Sequence, residues 1–169
     1  MHKKSGFTLL EMLIVMVIMG ILLAMTLWFG SDRVKDLDRQ SVSDQFIDGF
    51  NTLVGQSRTS SYLYGHKYTQ LLIHFGSGVH GFVTSLSGST LSSLSTGFES
   101  SVFVVNSIVS NQTVLSTLDV ELTPYSIGCQ LYSAKKALSG AMILSDISGQ
   151  KSCYTIDPSL CVLKKTECK

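Results

Sequence analysis

Gly6-Phe7-Thr8-Leu9-Leu10-Glu11, running into an apolar stretch from Met12 to Phe29, decides how this chain is read. Two lysines, Lys3 and Lys4, precede it, and one carboxylate, Glu11, is set inside it. As a helix, Phe7–Phe29 would extend roughly 35 Å at 1.5 Å per residue, enough to cross a hydrocarbon core of about 30 Å with some tilt. A charge at the bilayer centre costs about 2.5–3.5 kcal/mol on insertion scales, so a carboxylate within such a segment marks a function. A plain anchor has no use for it. The lysines before the span place Met1 in the cytoplasm and the bulk of the chain outside. The flank after it, Ser31-Asp32-Arg33-Val34-Lys35-Asp36, is charge-balanced and does not oppose that orientation.

Two simpler explanations compete. A secretory signal peptide has an apolar region of about 7–15 residues that ends in a small-x-small site. The run here is longer and closes on Thr26-Leu27-Trp28-Phe29-Gly30, a poor cleavage site. An uncleaved anchor would keep residues 1–6 and leave Glu11 without a purpose.

The remainder fits one extracytoplasmic domain. The chain has 169 residues, 15% of them charged, with a formal net charge of +1. Loss of Lys3 and Lys4 with the head would leave 11 basic against 12 acidic side chains. That balance advertises neither a nucleic-acid-binding surface nor an acidic tail. All four cysteines, Cys129, Cys153, Cys161 and Cys168, lie in the last 41 residues. An even count at the distal end suits an oxidising compartment and disulfides. Zinc would want a CxxC pair or paired histidines, and His66, His74 and His80 lie well upstream. No metal or cofactor is expected.

The hexapeptide, with its basic head and following apolar run, resembles the leader and N-terminal helix of type IV prepilins and pseudopilins. In that family a membrane aspartyl peptidase cuts after the glycine and methylates the new N-terminus. The resemblance implies a cut between Gly6 and Phe7, N-methylation of Phe7, and an assembly role for Glu11 at the fifth mature position. A residue without a side chain before the scissile bond eases entry of the backbone into the peptidase. Opposite the amine of a neighbouring subunit's Phe7, Glu11 would recover much of its burial cost and fix register. Snorkelling of Glu11 to the cytoplasmic interface is the alternative. Gly20 stands where many pilins have a helix-loosening glycine. Trp28 stands where many major pilins carry a kinking proline, which leans towards a minor pilin or pseudopilin. Met12, Met16, Met19 and Met25 read as packing or lipid-facing bulk.

Beyond the span, Val34, Leu37, Val42, Phe46, Phe50, Leu53 and Val54 recur at three- and four-residue steps among polar residues. This predicts an amphipathic continuation of the helix, with its apolar face covered by a sheet and its end between Ser57 and Tyr62. Gly49 and Gly55 weaken it. Strands are predicted at Tyr68–Phe75, Gly81–Leu86, Ser101–Val109, Val114–Leu122, Ala141–Ser145, Cys153–Ile156 and Cys161–Lys164. Gly76-Ser77-Gly78 reads as a turn, and Ser85–Ser101, with eight serines among 17 residues, as a surface loop or weak edge. The fold class expected is α+β, a long N-terminal helix packed on a C-terminal antiparallel β-sheet. Its parts are a leader 1–6, a transmembrane and assembly helix 7–30, an amphipathic helix 31–62 and a β-rich head 63–169. The order of elements, with Tyr64-Gly65 leading into the first strand, looks most like the H-type pseudopilin and minor-pilin group.

With Asp157-Pro158 at a hairpin turn, Cys153 would face Cys161. Cys129 and Cys168 would then enclose the C-terminal region, as the terminal disulfide loop does in many pilins. Such a loop of about 40 residues is worth roughly 4 kcal/mol in the chain-entropy model. Three pairings are open. His74, His80 and Asp119 could be combined with one of many serines, but no G-x-S-x-G setting accompanies them and no catalytic residue is assigned. Asn111-Gln112-Thr113 is formally a glycosylation sequon. Lys135-Lys136 and Lys164-Lys165 with Lys169 are small basic spots that read as solvated surface, DNA contact being the alternative. The expected partners are prepilin peptidase, other pilin subunits and, before assembly, the membrane. The expected location is the cytoplasmic membrane, single-pass, followed by an extracytoplasmic filament.

Overall fold

The computed structural model describes residues 9–88 and 97–168. Helix α1 covers Leu9–Thr59. The chain divides into two compact units, Met1–Gln40 and Ser41–Lys169, described here in turn.

The first unit is helical throughout its described length. Leu9–Thr26 is 18 residues, long and apolar enough to cross a membrane, and no part of it is buried by the chain. Val34 and Leu37 carry the period of a covered face, yet both are 65% exposed. Here the expectation of a sheet-covered stripe fails, because the described residues of this unit supply no second element to cover it.

In the second unit that stripe is buried. Val42, Phe46, Phe50, Leu53 and Val54 enter one core. α1 ends at Thr59, inside the expected window, without a terminal glycine. The Thr59 hydroxyl returns to the carbonyls of Gly55 and Gln56, and the Ser57 hydroxyl to that of Val54. Arg58 places its charge in the last turn, where the helix dipole favours a cation.

Among the described residues twelve strands follow: β1 Tyr62–Leu63, β2 His66–Lys67, β3 Gln70–Gly76, β4 Val83–Ser87, β5 Phe103–Ser110, β6 Thr113–Leu115, β7 Thr117–Leu122, β8 Gln130–Ser133, β9 Lys136–Leu138, β10 Ala141–Ile147, β11 Gln150–Asp157 and β12 Val162–Thr166. β1 and β2 form a small ribbon. The others form two five-stranded antiparallel sheets, in the orders β12-β11-β10-β5-β6 and β4-β3-β7-β8-β9. The α+β class is as expected, but the strands divide into two sheets rather than one. The predicted strand Val114–Leu122 is really two. It breaks at Ser116, with β6 in one sheet and β7 in the other. Of the stretch Ser85–Ser101, residues 89–96 lie outside the described residues. Its start belongs to β4, and Glu99 makes an antiparallel bridge to Gly81.

Strand alternation sends Leu71, Ile73 and Phe75 of β3, Leu118, Val120 and Leu122 of β7, and Ile143 and Ile147 of β10 inwards. Phe46 of α1 stands at the centre. Its ring lies 4.4 Å from Phe103, 5.0 Å from Tyr154, 5.5 Å from Phe98, 5.8 Å from Phe82 and 6.2 Å from Phe75, centroid to centroid. These rings come from both sheets and from the connections on either side of β4 (Phe82 before it, Phe98 after it), so one helical residue ties these parts of the core together. Where residues 81–83 and 97–99 run side by side there is room only for hydrogen. A Cβ on Gly97 would stand 1.6 Å from the Phe82 carbonyl oxygen, and one on Gly81 1.8 Å from that of Phe98.

The helix is also sewn to a sheet edge. Asn51 donates to the Leu163 carbonyl (3.3 Å) and accepts from the Leu163 N–H (3.1 Å), as a neighbouring strand would. The Tyr154 hydroxyl donates to Ser43 Oγ on α1 (2.9 Å).

Candidate functional site

The N-terminal segment carries the sequence-predicted site residues. Gly6 and Phe7, the expected cut and methylation residues, lie outside the described residues. Glu11 is in the first turn of α1, exposed, where the positive end of the helix dipole favours a carboxylate. Around it Leu9 is 85% exposed and Leu10 70%, and Met12, Met16, Met19 and Met25 are likewise exposed. Leu9–Thr26 would reach about 27 Å as a helix, close to a hydrocarbon thickness. This surface can bury itself only against something outside the chain, lipid or another helix.

All four cysteines are bridged, but not as the hairpin argument suggested. Cys129 pairs with Cys161 and Cys153 with Cys168, each with Cα atoms 5.3 Å apart. The correction comes from register. The β11–β12 hairpin closes on Asp157↔Val162, so Cys153 faces Thr166, and Cys161 sits in the turn. Cys153 stands four positions before the closing pair, about 14 Å of strand, too far for a bridge to the turn. The turn instead meets the segment before β8. The Cys129 N–H donates to the Pro158 carbonyl at 3.0 Å, and Arg58 donates to the carbonyls of Ile127 (2.9 Å) and Leu160. Asp157 Oδ1 accepts from the Ser159 hydroxyl (2.5 Å) and N–H (2.9 Å), which hold its carboxyl below the ordinary carboxylate range.

Sequence reasoning named His74 and Asp119 without assigning them a role or a serine; they form a polar row on the outward face of the second sheet. His74 of β3 lies directly across from Asp119 of β7, and Ser85 of β4 is one diagonal step away. His74 Nδ1 is 2.7 Å from Asp119 Oδ1, and Nε2 is 2.8 Å from Ser85 Oγ. Alongside, Gln70 donates to Glu121 at 2.7 Å. The sequence signal was present in the polar positions alternating with buried Leu71, Ile73 and Phe75 and with Leu118, Val120 and Leu122. Which serine would join them depended on pairing. His80 is not part of this row; its Nδ1 meets the Phe103 carbonyl at 3.0 Å. Among the described residues no group of three or more His, Cys, Asp or Glu side chains is placed to hold a metal. Lys135 and Lys136 lie at the β8–β9 turn and Lys164 and Lys165 on β12, in different sheets.

Burial pushes the Tyr154 hydroxyl above its ordinary value near 10, partly offset by its hydrogen bonding with Ser43, Ser145 and Ser152. Tyr68 shifts the same way, by burial first and then by the nearby Tyr125.

No curated protein and no solved structure is significantly similar to the chain. Residues 1–27 match the family model of the prokaryotic N-terminal methylation motif. An apolar helix, one carboxylate in its first turn and that motif together give the segment the signature of a type IV prepilin leader, similar to the leaders of pilin and pseudopilin precursors.

Proposed function

We propose that the protein is a structural subunit of a type IV pilus or a type II secretion pseudopilus, as a minor pilin or pseudopilin. The chain enters the membrane with Lys3 and Lys4 in the cytoplasm. It is cut between Gly6 and Phe7, is methylated on the Phe7 amine, and is then drawn into a bundle of N-terminal helices. Packing of the exposed apolar side chains of Leu9–Thr26 against other copies supplies cohesion. Glu11, opposite the terminal amine of the next subunit, supplies register. The missing proline at Trp28 supports the minor or pseudopilin role. The observation that carries this reading is the methylation motif over residues 1–27, running into an apolar helix that nothing among the described residues covers. Assembly requires no chemistry from the head, whose two disulfides suit exposure outside the cytoplasm.

Mass spectrometry of the native N-terminus tests it. N-methylated Phe7 as the first residue is the expected result, and Gly6→Leu should leave the precursor unprocessed. An intact Met1 in cells with active prepilin peptidase would make the chain an uncleaved membrane-anchored domain.

A further inference from the structure

The geometry points to a nucleophilic triad on the outer face of the second sheet, with Ser85 as nucleophile, His74 as base and Asp119 as the residue that positions the base, acting on small carboxylic esters. The two contacts of His74 have a definite sense. A carboxylate only accepts hydrogen bonds, so His74 Nδ1 carries the proton and donates to Asp119 Oδ1 (2.7 Å). That leaves Nε2 with its lone pair towards Ser85 Oγ (2.8 Å), able to take the hydroxyl proton. Nucleophile, base and orienting carboxylate thus stand in the order by which serine nucleophiles are recognised on unrelated folds.

The scaffold is rigid. The three residues come from three adjacent strands, with His74↔Asp119 a direct cross-strand pair and Ser85 paired to Leu72, two residues from His74. Their opposite faces are locked into the core through Ile73, Thr84 and Leu118. The site is also open to solutes. The His74 side chain is 40% exposed and that of Asp119 35%. Val83, across from His74, is exposed, and Leu72 lies partly open beside Ser85, a small apolar floor for an acyl chain. Glu121, next along β7 on the same face, disfavours anionic substrates, so short neutral esters fit best.

The chemistry closes without a cofactor. Ser85 Oγ attacks the ester carbonyl carbon while its proton passes to His74 Nε2. The C–O bond to the alcohol breaks and that proton leaves with the alkoxide. Water, deprotonated by His74, then cleaves the acyl-serine and regenerates the hydroxyl. Positioned general base catalysis contributes about 10²–10⁴-fold, so Ser85 should outpace an ordinary serine by that order.

The test treats full-length protein in detergent micelles with an alkyl fluorophosphonate and maps the adducts by peptide mass spectrometry. Ser87, two residues along on the same strand face, is the internal reference. Ser85 is expected to be phosphonylated about 100-fold faster than Ser87. His74→Gln should bring Ser85 to the rate of Ser87. Asp119→Asn should slow it at least tenfold, and Asp119→Glu restore part of that loss, with the rate at Ser87 unmoved throughout. Turnover of p-nitrophenyl acetate should vanish in Ser85→Ala. Equal labelling of Ser85 and Ser87 in the unmodified protein overturns the proposal, whatever the variants do, and so does an undiminished Ser85 advantage in His74→Gln.

Discussion

Replacing Phe46 with alanine measures how far the head depends on one helical residue. Phe46 is fully buried, with five aromatic rings from both sheets and the connections on either side of β4 within 6.2 Å of its own. Phe-to-Ala truncations in cores cost about 3–5 kcal/mol, and a site walled by rings already packed on one another cannot collapse to refill the space, which favours the upper half. A unit of about 130 residues has roughly 6–20 kcal/mol of stability in all, so the loss is a large fraction of the whole. At about 3–5 °C per kcal/mol for this size, the melting temperature should fall by about 10–20 °C. Thermal unfolding of the full chain in detergent, followed by near-ultraviolet circular dichroism, reads the head's packing directly. Leu37→Ala, on the same helix and the same apolar period but exposed, is the control and should stay within about 0.5 kcal/mol. A Phe46→Ala melt within 2 °C of the parent, or a Leu37→Ala loss of equal size, would refute the assignment of where the covered face begins.

Glu11→Ala should be processed normally yet fail to enter filaments; normal amounts in sheared filaments would remove its assembly role. Non-reducing peptide mapping should recover Cys129 joined to Cys161 and Cys153 to Cys168. In the chain-entropy model the 32- and 15-residue separations are worth about 4 and about 3 kcal/mol, so Cys129→Ser with Cys161→Ser should lower the melt further than Cys153→Ser with Cys168→Ser. Alkali should destabilise the head. Tyr154 holds its proton above the unfolded value near 10, so its contribution is complete below pH 10 and is lost as the pH rises past it, when only the unfolded chain can ionise. Tyr154→Phe should flatten that alkaline limb in a stability-against-pH titration, and an unchanged limb would count against it.

The parts of the fold legible in the sequence were those fixed by local periodicity. The stripe Val42, Phe46, Phe50, Leu53 and Val54 marks a buried face by spacing alone, and most strands show as β-branched and aromatic runs. Periodicity names a face without saying whether a partner exists, which is why Val34 and Leu37 read as covered and are not. β8 and β9 escaped notice because four and three residues, half of them polar, carry too little pattern. The remaining differences are all matters of pairing. The break at Ser116 sends β6 and β7 to different sheets, and no property of Val114–Leu122 alone requires it. The cysteine bridges turned on where the β11–β12 hairpin closes, and a shift of its centre by two to three residues redirects both. His74, Ser85 and Asp119, separated by 11 and 45 residues, meet only because β4, β3 and β7 lie side by side.

The N-terminal segment was the most legible part, and the reason is thermodynamic. Three of its features burden a lone helix. Its apolar side chains are exposed along Leu9–Thr26. Gly20 costs about 1 kcal/mol against alanine, although a Cβ there would meet nothing within 4 Å in this chain. Glu11 sets a carboxylate where lipid would surround it. Under the proposed assembly, each burden would be lifted by other copies of the same helix. Between helices in a membrane there is little hydrophobic gain, so association rests on close packing that small residues permit and on polar pairs that fix register. Retaining all three features is what the proposed assembly would require, whereas the head has its own core and two bridges. That division is why the leader could be read from thirty residues, whereas in the head the class and most strands could be read but their pairing could not.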